Sequence, residues 1–177
     1  PEPSSQPAHG QPREVYKDVY DTNPERRFKT LTMHGRLLVS PDGLRWSDTG
    51  VYAFQTTGNS GSDNDNYIRF NPKKNRWQVI HRPGNADRRF AITESAPGDP
   101  TRWGEQRTFI QPDVLDEQSM QIDGFIVYHY EDMWVGYLRR FECPVFERRK
   151  RHKMWQSFTD ELVYSYDGHR GLRTREP

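Results

Sequence analysis

The sequence predicts an all-β fold built from a repeated sheet. Three observations lead to this prediction: many short runs rich in β-branched and aromatic residues, closely spaced turn residues between them, and a strand–turn motif that recurs along the chain. Aromatic residues make up 13% of the chain, which separates it from disordered sequences of similarly low hydrophobic content. Long stretches of helical periodicity are nearly absent, so strands are expected to dominate.

Eight runs have the composition and the alternation of half-buried strands. They are residues 27–32, 36–39, 67–70, 77–81, 90–93, 124–130, 133–138 and 160–165. Pro, Gly, Asn and Asp separate these runs, and residues 71–76 are predicted to form a hairpin loop between two aromatic strands. Short strands separated by such turns are typical of a sandwich, a barrel or a propeller.

A repeated motif favours the propeller. The pattern Ser-x-Asp-Gly follows a strand at residues 40–43 and again at 165–168, and a degenerate copy runs from Ser95 to Trp103. Ser and Asp are expected to accept hydrogen bonds from backbone N–H groups of the turn, Gly to supply a positive φ, and Trp46 and Trp103 to pack over their hairpins. The spacing of roughly 55–70 residues suits one four-stranded blade. The three motif serines should therefore lie in corresponding outer strands of successive blades.

Composition narrows the classes of function. Lys and Arg number 26 against 25 Asp and Glu, so a net charge of +1 gives no electrostatic reason to expect nucleic acid or a membrane as partner. The basic run 148–153 is the exception, and we interpret it as a solvated loop before a polyanion patch. The single Cys143 excludes an internal disulfide, and His34, His81 and His129 lack metal-ligand spacing. Neither a metal nor a cofactor is predicted.

Three segments carry a resemblance to a known group of proteins. Residues 23–46, with Asn-Pro-Glu-Arg-Arg-Phe-Lys, a strand and Ser-Pro-Asp-Gly-Leu-Arg-Trp, resemble the opening blades of the five-bladed β-propeller glycoside hydrolases, which include invertases, levansucrases, arabinanases and xylosidases. Residues 61–77 and 116–122 resemble the following blades. The invertase-type signatures are absent, so neither invertase nor levansucrase activity is implied. The resemblance implies a partial propeller at 14–177, with blades at about 14–56, 57–111 and 112–177. The composition of residues 1–13 predicts a Pro-rich linker or tail.

The resemblance also implies an active site of three carboxylates, one from each of three successive blades. Glycoside hydrolysis needs an acid for the leaving oxygen and a base or nucleophile at the anomeric carbon. The candidates are Asp21 as base or nucleophile, Asp63 as modulator and Glu117 as acid. The alternative interpretation is a turn cap for Asp21, a loop or a cation site for Asp63, and a solvated loop pair with its acidic neighbour for Glu117. A second carboxylate accompanies each candidate, in the same order Asp18, Asp65 and Asp116.

Sugar binding also needs flat apolar surfaces and hydrogen-bond donors. His34, Arg82, Tyr128 and Trp134 are the candidates, although a place in the core is favoured for Trp134. The sequence thus predicts a glycoside hydrolase acting on a poly- or oligosaccharide through paired carboxylates. The alternative is a non-catalytic module that binds sugar or protein, and a polyanion binder ranks last. Because three blades leave a ring open, a longer protein, further chains or a homo-oligomer are expected to complete it.

Overall fold

The computed structural model describes residues 14–56, 66–83, 89–117, 120–131, 133–142 and 157–175. Within them the secondary structure is β apart from one short 3-10 turn, Pro24–Arg26, and no helix there is long and apolar enough to cross a membrane. All eight predicted runs lie on strands. The strands are β1 Tyr16–Lys17, β2 Phe28–Leu31, β3 Arg36–Ser40, β4 Ser47–Tyr52, β5 Tyr67–Asn71, β6 Arg76–His81, β7 Phe90–Ala96, β8 Asp99–Trp103, β9 Arg107–Ile110, β10 Met120–Tyr130, β11 Met133–Glu142, β12 Ser157–Ser165 and β13 Leu172–Arg173.

These strands form three antiparallel sheets. Sheet I has the order β1-β2-β3-β4, sheet II has the order β5-β6-β7-β8 with β9 paired to β7, and sheet III has the order β10-β11-β12-β13. The chain divides into two compact units. Of the described residues, unit 1 holds those up to 83 and 91–107, and unit 2 holds 89–90 and 108–175. The bounds proposed for individual blades remain a prediction.

The Ser-x-Asp-Gly motif folds in the same way in sheets I and III. Ser40 Oγ accepts a hydrogen bond from the Gly43 N–H at 2.8 Å. Asp42 Oδ1 accepts from the N–H groups of Leu44 and Arg45, both at 2.8 Å. In the second copy Ser165 Oγ accepts from the Gly168 N–H at 3.1 Å. Asp167 Oδ1 accepts from the N–H groups of His169 at 2.7 Å and Arg170 at 3.4 Å. The motif glycines have φ of +79° and +66°. The predicted turn chemistry is confirmed.

The three motif serines occupy equivalent strands. Ser40 ends β3, Ser95 lies in β7 and Ser165 ends β12, and each of these strands is third along its sheet. The correspondence is confirmed, but the prediction that these are the outer strands is wrong, because the chain after each turn adds a fourth strand at the edge. In the degenerate copy, Ser95 Oγ accepts from the Trp77 N–H at 3.0 Å. Trp103 packs against the core of unit 1, and its packing over the hairpin remains a prediction.

The core of unit 1 lies between sheets I and II. It is formed by aliphatic and aromatic residues of both sheets, among them Leu31, Leu37, Phe54, Ile68 and Trp77. Consecutive residues are buried along most of β2, β3, β6 and β7, so both faces of these middle strands are covered.

The core of unit 2 is built around three phenylalanine rings. The Phe125 ring lies 5.4 Å from the Phe90 ring and 5.8 Å from the Phe109 ring, between centroids. Val127, Trp134 and other alternate residues of sheet III are buried on the same side as Phe125. One face of sheet III thus supplies the core of this unit.

Candidate functional site

Two carboxylates of unit 1 converge on a buried lysine. The Lys29 side chain, on β2, is fully buried, and its Nζ lies 2.9 Å from Asp18 Oδ2 and 2.8 Å from Asp21 Oδ2. The same ammonium group donates to the carbonyl oxygen of Arg26 at 2.7 Å. These partners match the three donors of a lysine ammonium group, so the buried charge is fully satisfied.

Asp18 connects the segment between β1 and β2 to sheet II. Its Oδ2 accepts a hydrogen bond from the Trp77 Nε1–H at 2.7 Å, and its Oδ1 accepts from the N–H groups of Tyr20 at 2.9 Å and Asp21 at 3.2 Å. Every oxygen of this carboxylate is therefore engaged inside unit 1. Such contacts hold the segment between β1 and β2 in place, as expected of a structural carboxylate.

Asp21 is enclosed and ionised. Its Oδ1 accepts from the Asn23 N–H and from Arg26 Nη2, both at 3.0 Å, and only 4% of its side chain is exposed. Burial opposes ionisation, but the hydrogen bonds from Lys29, the Asn23 backbone and Arg26 outweigh it and lower the pKa of Asp21 below its ordinary value. These contacts support the turn-cap interpretation, and its catalytic role remains a prediction.

The other two catalytic candidates are Asp63 and Glu117, and the structure describes only the second. Asp63 lies outside the described residues, together with Asp65. Glu117, in unit 2, is exposed just before β10, and its backbone oxygen accepts from the Met120 N–H at 2.9 Å. Within the described ranges, no hydrogen bond or ion pair reaches the Glu117 carboxylate, so it is free to contact a ligand.

Asp116 belongs to a network of arginines and carboxylates in unit 2. Arg173 Nη1 donates to Asp116 Oδ2 at 2.5 Å, while its Nε and Nη2 donate to Glu161 Oε2 at 2.9 and 2.6 Å. Arg175 donates to Asp116 Oδ1 at 3.2 Å and also pairs with Asp113. Burial opposes ionisation of Asp116, but the hydrogen bond from Arg173 and the charge of both arginines lower its pKa. Each side chain in this network holds its neighbour in one orientation.

A cavity of about 830 Å³ opens beside this network, within unit 2. It is lined by charged residues, including Glu161, Arg173 and Arg175, by Thr159 and Thr174, and by two leucines. The Glu161 side chain is 9% exposed, and among the described residues its Oε1 has no hydrogen-bond partner. A buried carboxylate oxygen without a donor is costly, so a ligand donor that reached it would be stabilising.

The predicted sugar-contacting residues lie in four different settings. In unit 1, His34 is exposed beside a cavity of about 280 Å³ that Arg36 and Tyr52 also line, whereas Arg82 is buried. In unit 2, 56% of Tyr128 is exposed on sheet III. Trp134 is 2% exposed, which confirms that it belongs to the core. His34 and Tyr128 thus remain open to a ligand.

The network around Arg173 and Glu161 was not predicted from the sequence. One signal was present: Arg173 and Arg175 are spaced two apart, which places their side chains on one side of an extended chain. Within the described ranges, no group of three or more His, Cys, Asp or Glu side chains could hold a metal ion. Cys143 and the basic run 148–153 lie outside the described residues.

Comparison with solved structures identifies the fold. The chain is similar to an α-L-arabinanase of Penicillium chrysogenum, determined in complex with arabinobiose, with a TM-score of 0.52 and 12% sequence identity. The similarity covers 90% of this chain and 48% of the arabinanase, so the chain spans about half the length of that protein. No protein-family model and no curated protein matches the sequence. The chain is all-β and has the fold of part of a β-propeller of the five-bladed glycoside hydrolase type, as the sequence predicted.

Proposed function

We propose that this chain binds a poly- or oligosaccharide, and that the cavity of unit 2 is the binding site. The observation that carries the proposal is the buried Glu161 Oε1, which has no donor among the described residues, in a cavity that threonine and leucine residues help to line. Sugars present hydroxyl donors next to apolar C–H faces, and this lining offers a counterpart to both. The similar arabinanase was determined with a bound arabinobiose, which is consistent with a carbohydrate ligand.

The charges around the cavity favour a neutral ligand over an anion. Arg173 is already neutralised by Asp116 and Glu161, and Arg175 by Asp116 and Asp113. These pairs reduce the attraction that Arg173 and Arg175 would have for phosphate or a carboxylate. Because the paired side chains are held in place before binding, a neutral polyhydroxylated ligand would lose little free energy to their ordering.

Calorimetric titration with neutral oligosaccharides tests the site. Arabino-oligosaccharides are the first probe, with xylo- and fructo-oligosaccharides as a matched panel. We expect Glu161→Gln to weaken binding by about 10–100-fold, since it replaces a charged acceptor with an amide of the same shape. Glu105→Gln, an exposed carboxylate in unit 1 that lines none of the described cavities, should bind like the wild type. Unchanged affinity of Glu161→Gln, or no binding of any sugar by the wild type, would show that the assignment is wrong.

Glycoside hydrolysis is the second candidate function. It is favoured by the exposed Glu117 carboxylate, which has no partner among the described residues and could exchange a proton with a substrate. Release of reducing ends from arabinan and related polysaccharides would be measured with the melting temperature. If the chain is an enzyme, Glu117→Gln and Asp63→Asn should abolish turnover and leave the melting temperature within a few degrees. Sugar binding without turnover by the wild type would establish the non-catalytic alternative.

A further inference from the structure

A second cavity of unit 1 lies where the β5–β6 and β7–β8 hairpins meet, and its volume is about 340 Å³. Its lining includes Arg76, Glu94, Arg102 and Trp103. We call it the Trp103 cavity. None of its lining residues lines the cavity of unit 2, so the two cavities are built from different parts of the chain.

Hydrogen bonds on both sides of Arg76 hold its backbone beside the β7–β8 hairpin. The Gly98 N–H, in the turn of that hairpin, donates to the Asn75 carbonyl oxygen at 2.6 Å. The Trp77 N–H donates to Ser95 Oγ at 3.0 Å. Because both neighbours of Arg76 are bonded to the same hairpin, its backbone is in place at the cavity before a ligand binds, and binding loses little free energy to its ordering.

Arg76 lines the cavity without a counter-charge. The residue is half-buried, and across the described ranges no hydrogen bond or ion pair reaches its guanidinium group. The other arginine of the lining, Arg102, is paired, with its Nε 3.0 Å from Asp99 Oδ2. A guanidinium group carries five N–H donors, so Arg76 offers unused donors to a ligand.

The carboxylate of the lining does not neutralise Arg76, because it is bonded to other groups. Glu94 Oε1 accepts from Gln78 Nε2 at 2.6 Å and lies 3.4 Å from Lys74 Nζ. Its Oε2 accepts from Arg107 Nη2 at 3.0 Å. Both oxygens of Glu94 are therefore engaged by donors outside the lining, and Arg76 remains a surplus positive charge.

Trp103 gives the cavity an apolar wall. Its indole N–H donates to the Pro100 carbonyl oxygen at 2.7 Å, so the ring needs no polar partner from a ligand. The residue packs against the core of unit 1, which holds the ring in place, and Ala96 and Pro97 also line the cavity. A ligand would therefore meet an apolar ring next to unused donors, and it needs an apolar surface joined to a hydrogen-bond acceptor.

We propose that the Trp103 cavity binds a compact carboxylate ligand, in which the carboxylate is attached to a ring with an apolar face. The carboxylate accepts hydrogen bonds from Arg76, whose planar fork matches carboxylate geometry. The apolar face of the ring lies against Trp103. A volume of about 340 Å³ is at the lower end for small-molecule sites, which suits one ring rather than a chain. Sugar acids such as glucuronate have this chemistry. The site goes beyond the neutral-sugar site of unit 2 and does not depend on it.

An NMR titration of the full chain with glucuronate tests the site, and glucose, which has CH₂OH in place of the carboxylate, is the matched control ligand. We expect glucuronate to shift the indole N–H resonance of Trp103 and glucose to leave it unchanged. Arg76→Gln should weaken glucuronate binding by about 10–100-fold, because it removes the charged donors. Arg45→Gln removes the same charge at an exposed residue of unit 1 that lines none of the described cavities, and it should bind like the wild type.

Three results would overturn the proposal: no shift of the Trp103 resonance at high glucuronate concentration, equal shifts with glucose, or unchanged affinity in Arg76→Gln. If Arg76→Gln does not fold, Arg76→Lys replaces it, and it should also weaken binding because an ammonium group lacks the planar fork. Inorganic phosphate that binds as tightly as glucuronate would contradict the role of Trp103. Glu161→Gln should leave this titration unchanged, so failure of the sugar site in unit 2 is distinguishable from failure of this one.

Discussion

Lys29 is the residue on which the buried charges of unit 1 converge. Its ammonium group lies within 2.9 Å of Asp18 and Asp21, and Asp18 in turn accepts from the Trp77 side chain. A buried ion pair contributes little net stability when complete, but loss of one partner leaves an uncompensated charge. These contacts therefore hold the segment before β2 against sheet II.

Replacement of Lys29 tests the structural role of these buried ion pairs. We expect Lys29→Met to lower the free energy of unfolding by about 3–5 kcal/mol, because Asp18 and Asp21 would remain buried without their cation. The loss should be smaller at acidic pH, where the carboxyls can bind protons. Urea unfolding at neutral and at acidic pH provides the measurement, and Lys17→Met, at an exposed position of β1, is the matched control. Equal loss in both variants would contradict the assigned role.

The carboxyl groups of Asp21 and Asp116 predict how stability depends on pH. Hydrogen bonds and charge from neighbouring cations lower both pKa values despite burial. Because the folded pKa lies below the unfolded one, their contribution is complete above about pH 4 and is lost as the pH falls through the folded pKa. Each such group adds a slope of up to about 1.4 kcal/mol per pH unit to the free energy of unfolding in that range.

Asp116→Asn isolates one of these contributions. The variant should show a shallower fall of unfolding free energy below pH 4 than the wild type, measured by urea unfolding at a series of pH values. Glu105→Gln should retain the wild-type slope. A slope in Asp116→Asn as steep as that of the wild type would show that this carboxyl does not contribute in the way its contacts indicate.

At the scale of the strands, Gly136 sets how closely β10 and β11 approach. A Cβ at this position would lie 2.3 Å from the Ile126 carbonyl oxygen and 3.1 Å from the Val127 Cα. Backbone atoms cannot give way as a flexible side chain can. The close approach depends on the absence of a side chain at Gly136.

Gly136→Ala should destabilise the protein by about 1–3 kcal/mol through this overlap. Gly124→Ala lies on the same strand pair, and its Cβ would meet Arg139 Cβ at 3.6 Å, an ordinary contact. It should therefore leave stability nearly unchanged. Thermal and urea unfolding of the two variants would decide the matter, and similar stabilities for both would contradict the described spacing of the strands.

The elements that the sequence predicts well depend on contacts between near neighbours. The Ser40 and Ser165 turns involve groups within a few residues, and the hairpin at 71–76 closes with Asn75 at a φ of +50° between β5 and β6. Strands β4 and β8 escaped prediction because polar residues dominate them and apolar alternation is weak. They are strands because they pair with β3 and β7, which local sequence does not reveal.

The candidate site was predicted less well for the same reason. Asp21 and the acidic pair at 116–117 were recognised as candidates, but the contacts that define their chemistry join distant parts of the chain. Asp18 and Trp77 are 59 residues apart, and Asp116 and Arg173 are 57 apart. A carboxylate and an arginine at such separation carry no spacing signal, so the cavity became visible only in the folded chain.

At the scale of the whole molecule, sheets of one architecture serve different purposes. Sheets I and II are covered on both sides of their middle strands, whereas one face of sheet III supplies the core of unit 2 and the other leaves Tyr128 and Tyr137 exposed. The arginine and carboxylate cavity lies in the same unit as sheet III.

The most direct test of the central claim is an NMR titration that maps where an oligosaccharide binds. At 21.0 kDa the protein is suited to amide-resolved spectra. If the cavity of unit 2 is the site, arabino-oligosaccharides should shift the amide resonances of Thr159, Glu161 and Thr174 most, and Glu161→Gln should remove these shifts at the same sugar concentration. Shifts confined to unit 1, for example around His34 and Arg36, or no shifts at saturating sugar, would contradict the proposed function.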